Sequence, residues 1–165
     1  MSVIDEVIAA NQEFAKTYHP SHFTPRPRLH LAVLTCMDTR LTIASLGLKV
    51  GDAHILRNAG GLVTEDSLRS ILLSHFFLGS NELMIINHTD CGLMKAPEDE
   101  LRESIVKETG CEAVVPTRFH AFTDLEKSVK QQLLRFRSHP WIGNRMPARG
   151  FVYDVEDGRL REVLV

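Results

Sequence analysis

The chain is poor in cysteine and has no excess of charge of either sign. Three cysteines in 165 residues are an odd number, too few for a disulfide framework. They predict thiols that are buried, metal-bound or catalytic in a reducing compartment. Lysine and arginine number 19 against 21 aspartates and glutamates, a formal net charge of −2. A general nucleic-acid binder carries a basic excess, so no nucleic-acid partner is expected. No apolar run approaches the length of a membrane-spanning helix, so no membrane partner is expected either. The opening residues include Asp5 and Glu6 and no early lysine or arginine, unlike a secretory signal. The chain is therefore read as cytoplasmic. Both the dinucleotide-binding glycine fingerprint and the phosphate-binding P-loop are missing.

What is present reads as one domain over 1–165, with a helix and arm over 1–28 and an α/β core over 29–165. Val3, Ile4, Val7, Ile8 and Phe14 recur at helical spacing. Pro20, Pro25 and Pro27 then enforce an irregular arm, long enough to lay the first helix on a partner subunit. Short apolar runs at 31–35, 53–57 and 83–86 suit strands buried on both faces. Thr64 is placed as the N-cap of a helix carrying Leu68, Ile71, Leu72 and Phe76. Leu101, Ile105 and Val106 mark another helix, and Leu125, Val129, Leu133 and Phe136 a longer one ending before His139-Pro140. Runs at 151–155 and 160–164 flank Asp157-Gly158, a hairpin signal. Strands alternating with helices predict an α/β fold with a mainly parallel sheet flanked by helices.

Two clusters carry chemistry. Cys36-Met-Asp38-Thr-Arg40 follows the first strand, and His88-Thr-Asp-Cys91-Gly92 follows the third. In an open parallel sheet, functional groups collect at the carboxyl ends of the strands. Cys36, His88 and Cys91 then form a Cys₂His set suited to zinc, with Asp38 as a possible fourth ligand. Taken singly, each cluster also has a plain reading: a packed cysteine, a chance His-x-x-Cys, a surface Asp–Arg pair. Asn58-Ala-Gly60-Gly61 lies beside the same crevice, and its glycines either admit a small ligand or make a tight turn.

These motifs resemble the β-class carbonic anhydrase family, in particular its short bacterial members. The likeness rests on Cys36-x-Asp38-x-Arg40, His54-Ile-Leu-Arg-Asn-Ala-Gly-Gly61, Asn87-His-Thr-Asp-Cys-Gly92 and Arg149-Gly-Phe-Val-Tyr-Asp154, and spans nearly the whole chain. It implies Zn²⁺ on Cys36, His88 and Cys91. It implies an Asp38–Arg40 pair in an open state, with Asp38 as fourth zinc ligand in a closed one. Gly60, Gly61 and Gly92 are then the candidate substrate-pocket residues. The implied fold is a sheet of order 2-1-3-4 plus an edge strand, in a homodimer or homotetramer whose first helix embraces a neighbour.

The implied activity is reversible hydration of carbon dioxide, a small-molecule substrate, by zinc-bound hydroxide, with Asp38 as orienting group and Arg40 as its clamp. Hydrolysis of carbonyl sulfide or carbon disulfide is the alternative within the family. A zinc scaffold without turnover is a third reading, which gains nothing from Asp38 and Arg40. Two thiolates neutralise the ion's charge, so activity is expected to rise toward alkaline pH. Met37 and Thr39 stand where relatives commonly have serine, and Leu93 where many have a second glycine. Leu93 and Met94 can therefore alter the pocket wall.

The remaining histidines, at 19, 22, 30, 54, 75, 120 and 139, fall in no joint motif and are read as structural or solvated. Cys111 is read as a packing residue. The basic stretch from Lys127 to Arg149 is read as a charged helix face and loop.

Overall fold

A computed structural model describes residues 2–19, 23–112, 114–116 and 118–165. Five strands, β1 (Leu31–Cys36), β2 (Ala53–Asn58), β3 (Glu82–His88), β4 (Ala148–Tyr153) and β5 (Leu160–Val163), form one sheet. Its order is β2-β1-β3-β4-β5. The first four run parallel and β5 is antiparallel to β4. The expected order is thus found, with β5 as the edge strand. The α-helices among the described residues are α1 (Val3–Ala15), α2 (Glu65–Phe76), α3 (Glu98–Thr109) and α4 (Leu125–Arg137).

Strand alternation splits the apolar residues between two faces. Ala32, Leu34, Leu83 and Ile85 face Ile71 of α2 and Val129, Leu133 and Phe136 of α4. Val33, Ile86, Phe151 and Tyr153 form a second cluster with Leu41, and Cys36 and Cys91 belong to it. α4 can lie close to β4 because Gly150 has no side chain. A Cβ there would stand 2.4 Å from Val129 Cγ1 and 2.7 Å from Leu133 Cδ1.

The helix ends follow the local rules. Thr64 caps α2 through Ser67, and Glu65 and Asp66 sit at the positive end of its dipole. Ser2 caps α1 in a reciprocal pair with Asp5. The apolar positions of α1 are real, yet none is buried: Val3 is 75% exposed and Phe14 63%. α3 likewise buries nothing. The expected arm is described at 16–19 and 23–28, where it contains no helix or strand; Pro20 and His22 lie outside the described residues. Its downstream end is tied to the core, where His54 Nε2 meets the Pro25 carbonyl at 2.8 Å and Arg28 Nε meets Asp52 Oδ1 at 2.8 Å.

Two details differ from expectation. The hairpin turn is longer than Asp157-Gly158 alone, because β4 begins earlier and ends at Tyr153. Cys111 is exposed, not packed: it follows Gly110, which ends α3, and points into a surface loop. No helix among the described residues is long and apolar enough to cross a membrane.

Candidate metal centre

β1 and β3 are neighbours in parallel register, so their carboxyl ends lie side by side. Cys36 ends β1, His88 ends β3, and Cys91 closes the short turn after β3. All three are buried, and their donor atoms lie within 4.8 Å of one another. They are the group of this kind found among the described residues.

The chemistry of this set fits a zinc ion. Two sulfurs and one imidazole nitrogen are its preferred donors. His88 Nδ1 lies 2.8 Å from the Thr89 carbonyl, which can only accept, so Nδ1 carries the proton. Nε2 then presents a lone pair, and it is buried without a hydrogen-bond partner. An orphaned buried nitrogen costs free energy unless something fills its place, and the two sulfurs beside it mark that place.

The two sulfurs are close enough to share one proton. A hydrogen bond from Cys91 is the largest influence lowering the Cys36 pKa, and burial opposes it. The same bond, with burial, pushes Cys91 up. The backbone N–H of Gly60 also donates to Cys36 Sγ, at 3.3 Å. Burial, the largest influence, works against charge on His88, but Cys36, the Thr89 carbonyl and Asp38 together leave it above the usual histidine value.

Asp38 sits at the rim. Its Oδ2 is 3.9 Å from His88 Nε2. Arg40 clamps it in a fork, Nε to Oδ1 at 3.0 Å and Nη2 to Oδ2 at 2.7 Å. The Arg40 side chain, above all other influences, holds Asp38 well below the usual carboxylate range. The carboxylate is therefore ionised and fixed in direction.

The glycine turn after β2 frames the other side. Gly61 has φ +65, and a Cβ there would stand 2.8 Å from the Ile86 carbonyl and 2.9 Å from the Cys36 nitrogen. Asn87 Nδ2 donates to the Gly60 carbonyl at 2.7 Å. Leu93 lies against Gly60, where a Cβ would stand 2.8 Å from its Cδ1. Gly92 is exposed, with nothing within 4 Å of its Cβ position.

The residue pattern 31–160 matches the family model described as carbonic anhydrase. The chain belongs to the β-carbonic anhydrase family. It is 38% identical to β-carbonic anhydrase 1 of Mycobacterium tuberculosis over 165 residues, covering 99% of both chains. It is 34% identical to a carbon disulfide hydrolase of Acidithiobacillus thiooxidans over 151 residues, covering 79% of this chain and 75% of that one. A solved carbonic anhydrase from Streptococcus mutans superposes with a TM-score of 0.92, at 40% identity and 99% coverage of each chain.

For a member of this β-carbonic anhydrase family, two contributors at the site went unassigned in the sequence. Arg57 of β2 donates from Nε to the Cys36 carbonyl, and Asp90 receives Arg40 Nη1 at 2.9 Å. Both lie inside motifs that carried the resemblance. Their partners, however, are set by strand pairing and a turn. The histidines read as structural behave so where they are tied down: His30 meets the Gly79 carbonyl, His54 meets Ser74, and His75 meets the Ser80 carbonyl. His22 lies outside the described residues.

Proposed function

We propose that the protein catalyses reversible hydration of carbon dioxide to bicarbonate and a proton, at a zinc ion held by Cys36, His88 and Cys91. The observation that carries this reading is the buried, unpartnered Nε2 of His88 facing two buried sulfurs, with an ionised carboxylate 3.9 Å away. When bound, zinc would supply a Lewis acid that makes water a nucleophile well below its ordinary pKa.

The chain's own residues supply the rest. An ionised carboxylate can only accept hydrogen bonds. Asp38 Oδ2 therefore accepts from the attacking water and aims its lone pair at the substrate carbon. Arg40 prevents Asp38 from taking up a proton and from rotating, since it grips both oxygens. Gly61 lets the turn after β2 pack directly on the backbone of β1 and β3 beside the cluster, and Gly60 leaves room for Leu93. The product proton leaves through buffer or a nearby histidine.

The Asp38–Arg40 pair distinguishes this reading from a zinc scaffold. The buried ligand thiols favour a reducing compartment such as the cytoplasm. A second reading has the same residues hydrolyse carbonyl sulfide or carbon disulfide. The carbon disulfide hydrolase relative supports it. Metal-quantified protein, assayed side by side for stopped-flow carbon dioxide hydration and for loss of each sulfur substrate, tests the assignment. Zinc at one per chain with hydration rising toward alkaline pH is the expected result. Zinc without turnover of any of the three would refute it.

We also propose a homodimer or homotetramer built through α1. Its apolar stripe is uncovered by its own chain. A groove lined by Leu68, Leu72, Leu73, Phe76, Phe77 and Trp141 supplies an apolar surface of the kind such a helix needs.

A further inference from the structure

Arg40 carries five N–H donors on a flat, rigid fork. Both accessible edges of that fork are occupied. The Nε–Nη2 edge clamps Asp38. The Nη1–Nη2 edge rests on Asp90, at 2.9 Å to Oδ2 and 3.2 Å to the backbone carbonyl. Lys95 Nζ takes the remaining Asp90 oxygen, Oδ1, at 3.0 Å. Because a guanidinium is planar, holding one edge aims the other.

Asp90 is itself well placed to act as an anchor. It occupies a left-handed position, φ 54, in the turn between His88 and Cys91. Glycine, asparagine and aspartate adopt that conformation most readily. Glycine would serve the turn equally well; aspartate adds a carboxylate directed at Arg40. The turn is pinned to the end of β4, since Thr89 N donates to the Tyr153 carbonyl at 3.0 Å and Val155 N donates to Thr89 Oγ1 at 3.0 Å.

A second anchor matters because Arg40 is poorly enclosed. Its side chain is 43% exposed, and an exposed pair held at one point yields easily to water. Asp38, once released, has the orphaned Nε2 of His88 only 3.9 Å from its Oδ2. The ligand cluster is then within reach of its carboxylate.

We propose that Asp90 is a positioning residue: it holds Arg40 on Asp38, and so keeps Asp38 from becoming a ligand of the metal held by Cys36, His88 and Cys91. This rests on the metal site argued above. Lys95, on the far oxygen, fixes the direction in which Asp90 faces Arg40.

The test uses cobalt(II) as a spectroscopic substitute for zinc and thiocyanate as a probe of an exchangeable fourth position. The wild type is expected to take up one cobalt and to shift its visible spectrum on thiocyanate addition. Asp90→Gly keeps the left-handed turn and removes the carboxylate. If Asp38 captures the metal in nine of ten molecules, the apparent thiocyanate affinity falls about tenfold. Asp90→Asn retains the turn and an oxygen acceptor for Arg40, and is expected to recover most of that loss. Asp38→Ala added to Asp90→Gly is expected to restore thiocyanate binding, because no carboxylate is left to compete.

Three results would overturn the proposal: unchanged thiocyanate affinity in Asp90→Gly, an Asp90→Asn no better than Asp90→Gly, or a double variant that stays weak. Failure of the wild type to take up cobalt would overturn the metal reading beneath it as well. That failure is distinguishable because it precedes any substitution.

Discussion

Arg57 of β2 reaches across to the end of β1 and donates from Nε to the carbonyl of Cys36 at 3.0 Å, while its Nη2 donates to the carbonyl of Asp38. One side chain thus fixes the backbone on both sides of Met37. Cys36 and Asp38, the proposed ligand and orienting carboxylate, are set relative to each other by a residue of the neighbouring strand. Arg57→Lys keeps the charge but replaces a fork with a single point donor. We expect metal affinity to fall roughly 10–100-fold, as for other losses of support around a ligand. Competition against a chromogenic chelator measures it, and an affinity equal to wild type would remove Arg57 from this role.

Asp38→Ala leaves Cys36, His88 and Cys91 in place, so metal content is expected to stay at one per chain. Carbon dioxide hydration is expected to fall at least about 100-fold, the lower end for loss of a group that handles a proton in the transition state. Stopped-flow assays over a pH series on metal-quantified protein provide the check. Wild-type turnover in the variant at every pH would rule out the orienting role.

The glycines of the site are expected to behave differently under substitution. Gly61→Ala places a Cβ on two backbone groups at a left-handed φ, with an expected cost on the order of 3 kcal/mol. Gly92→Ala meets open space and should change stability by less than about 0.5 kcal/mol. Denaturant unfolding of both variants distinguishes them, and equal midpoints would contradict the close approach at Gly61.

Acid sensitivity should be traceable to Asp52. Its carboxylate accepts from Arg28 Nε and from the Lys49 backbone N–H, and these hold its pKa below the ordinary 3.8. A group depressed in the folded state stabilises above its unfolded value and loses that contribution as pH falls through the folded one. The contribution of Asp52 is thus present at neutral pH and fades only below about pH 4. Asp52→Asn is expected to lower Tm at pH 7 and to shrink its decline between pH 5 and 3. Thermal scans across that range report it; parallel curves for the two proteins would contradict the linkage.

A charge on the apolar stripe of α1 should disrupt assembly without unfolding the core. Val7 is 64% exposed in its own chain. Val7→Glu is expected to shift the protein toward monomer while far-ultraviolet dichroism stays near wild type. Light scattering after size exclusion gives the mass. An unchanged oligomer would take α1 out of the interface.

β1 and β3 were legible in the sequence because they are short, apolar and largely buried on both faces; β2, also an apolar run, is only half-buried at the sheet edge. β1, from Leu31 to Cys36, and β3, from Glu82 to His88, lie where their apolar runs place them. The Cys36–His88–Cys91 cluster was legible because β1 and β3 are parallel neighbours, so the stretches at and just beyond their carboxyl ends meet. Asp90 was not, since its role depends on a left-handed backbone and on an arginine fifty positions earlier. Arg57 was hidden similarly: pairing in register with Thr35 brings it to Cys36, and no local pattern encodes that pairing. The periodicity of α1 marked a helix, and the prolines after it an arm; its apolar positions are indeed left uncovered by its own chain. Cys111 misled because burial is the habit of its residue type, and here the chain has already left its helix at Gly110.

A helix of 13 residues with nothing buried does not hold itself together in water. If α1 packs on a second copy as proposed, its order depends on that contact, and dilution would take it away. At low abundance the leading segment becomes a frayed tail open to proteases, while the tethers at Pro25 and Arg28 stop the fraying from spreading into the sheet. Cellular lifetime would then track expression level, with scarce molecules trimmed first.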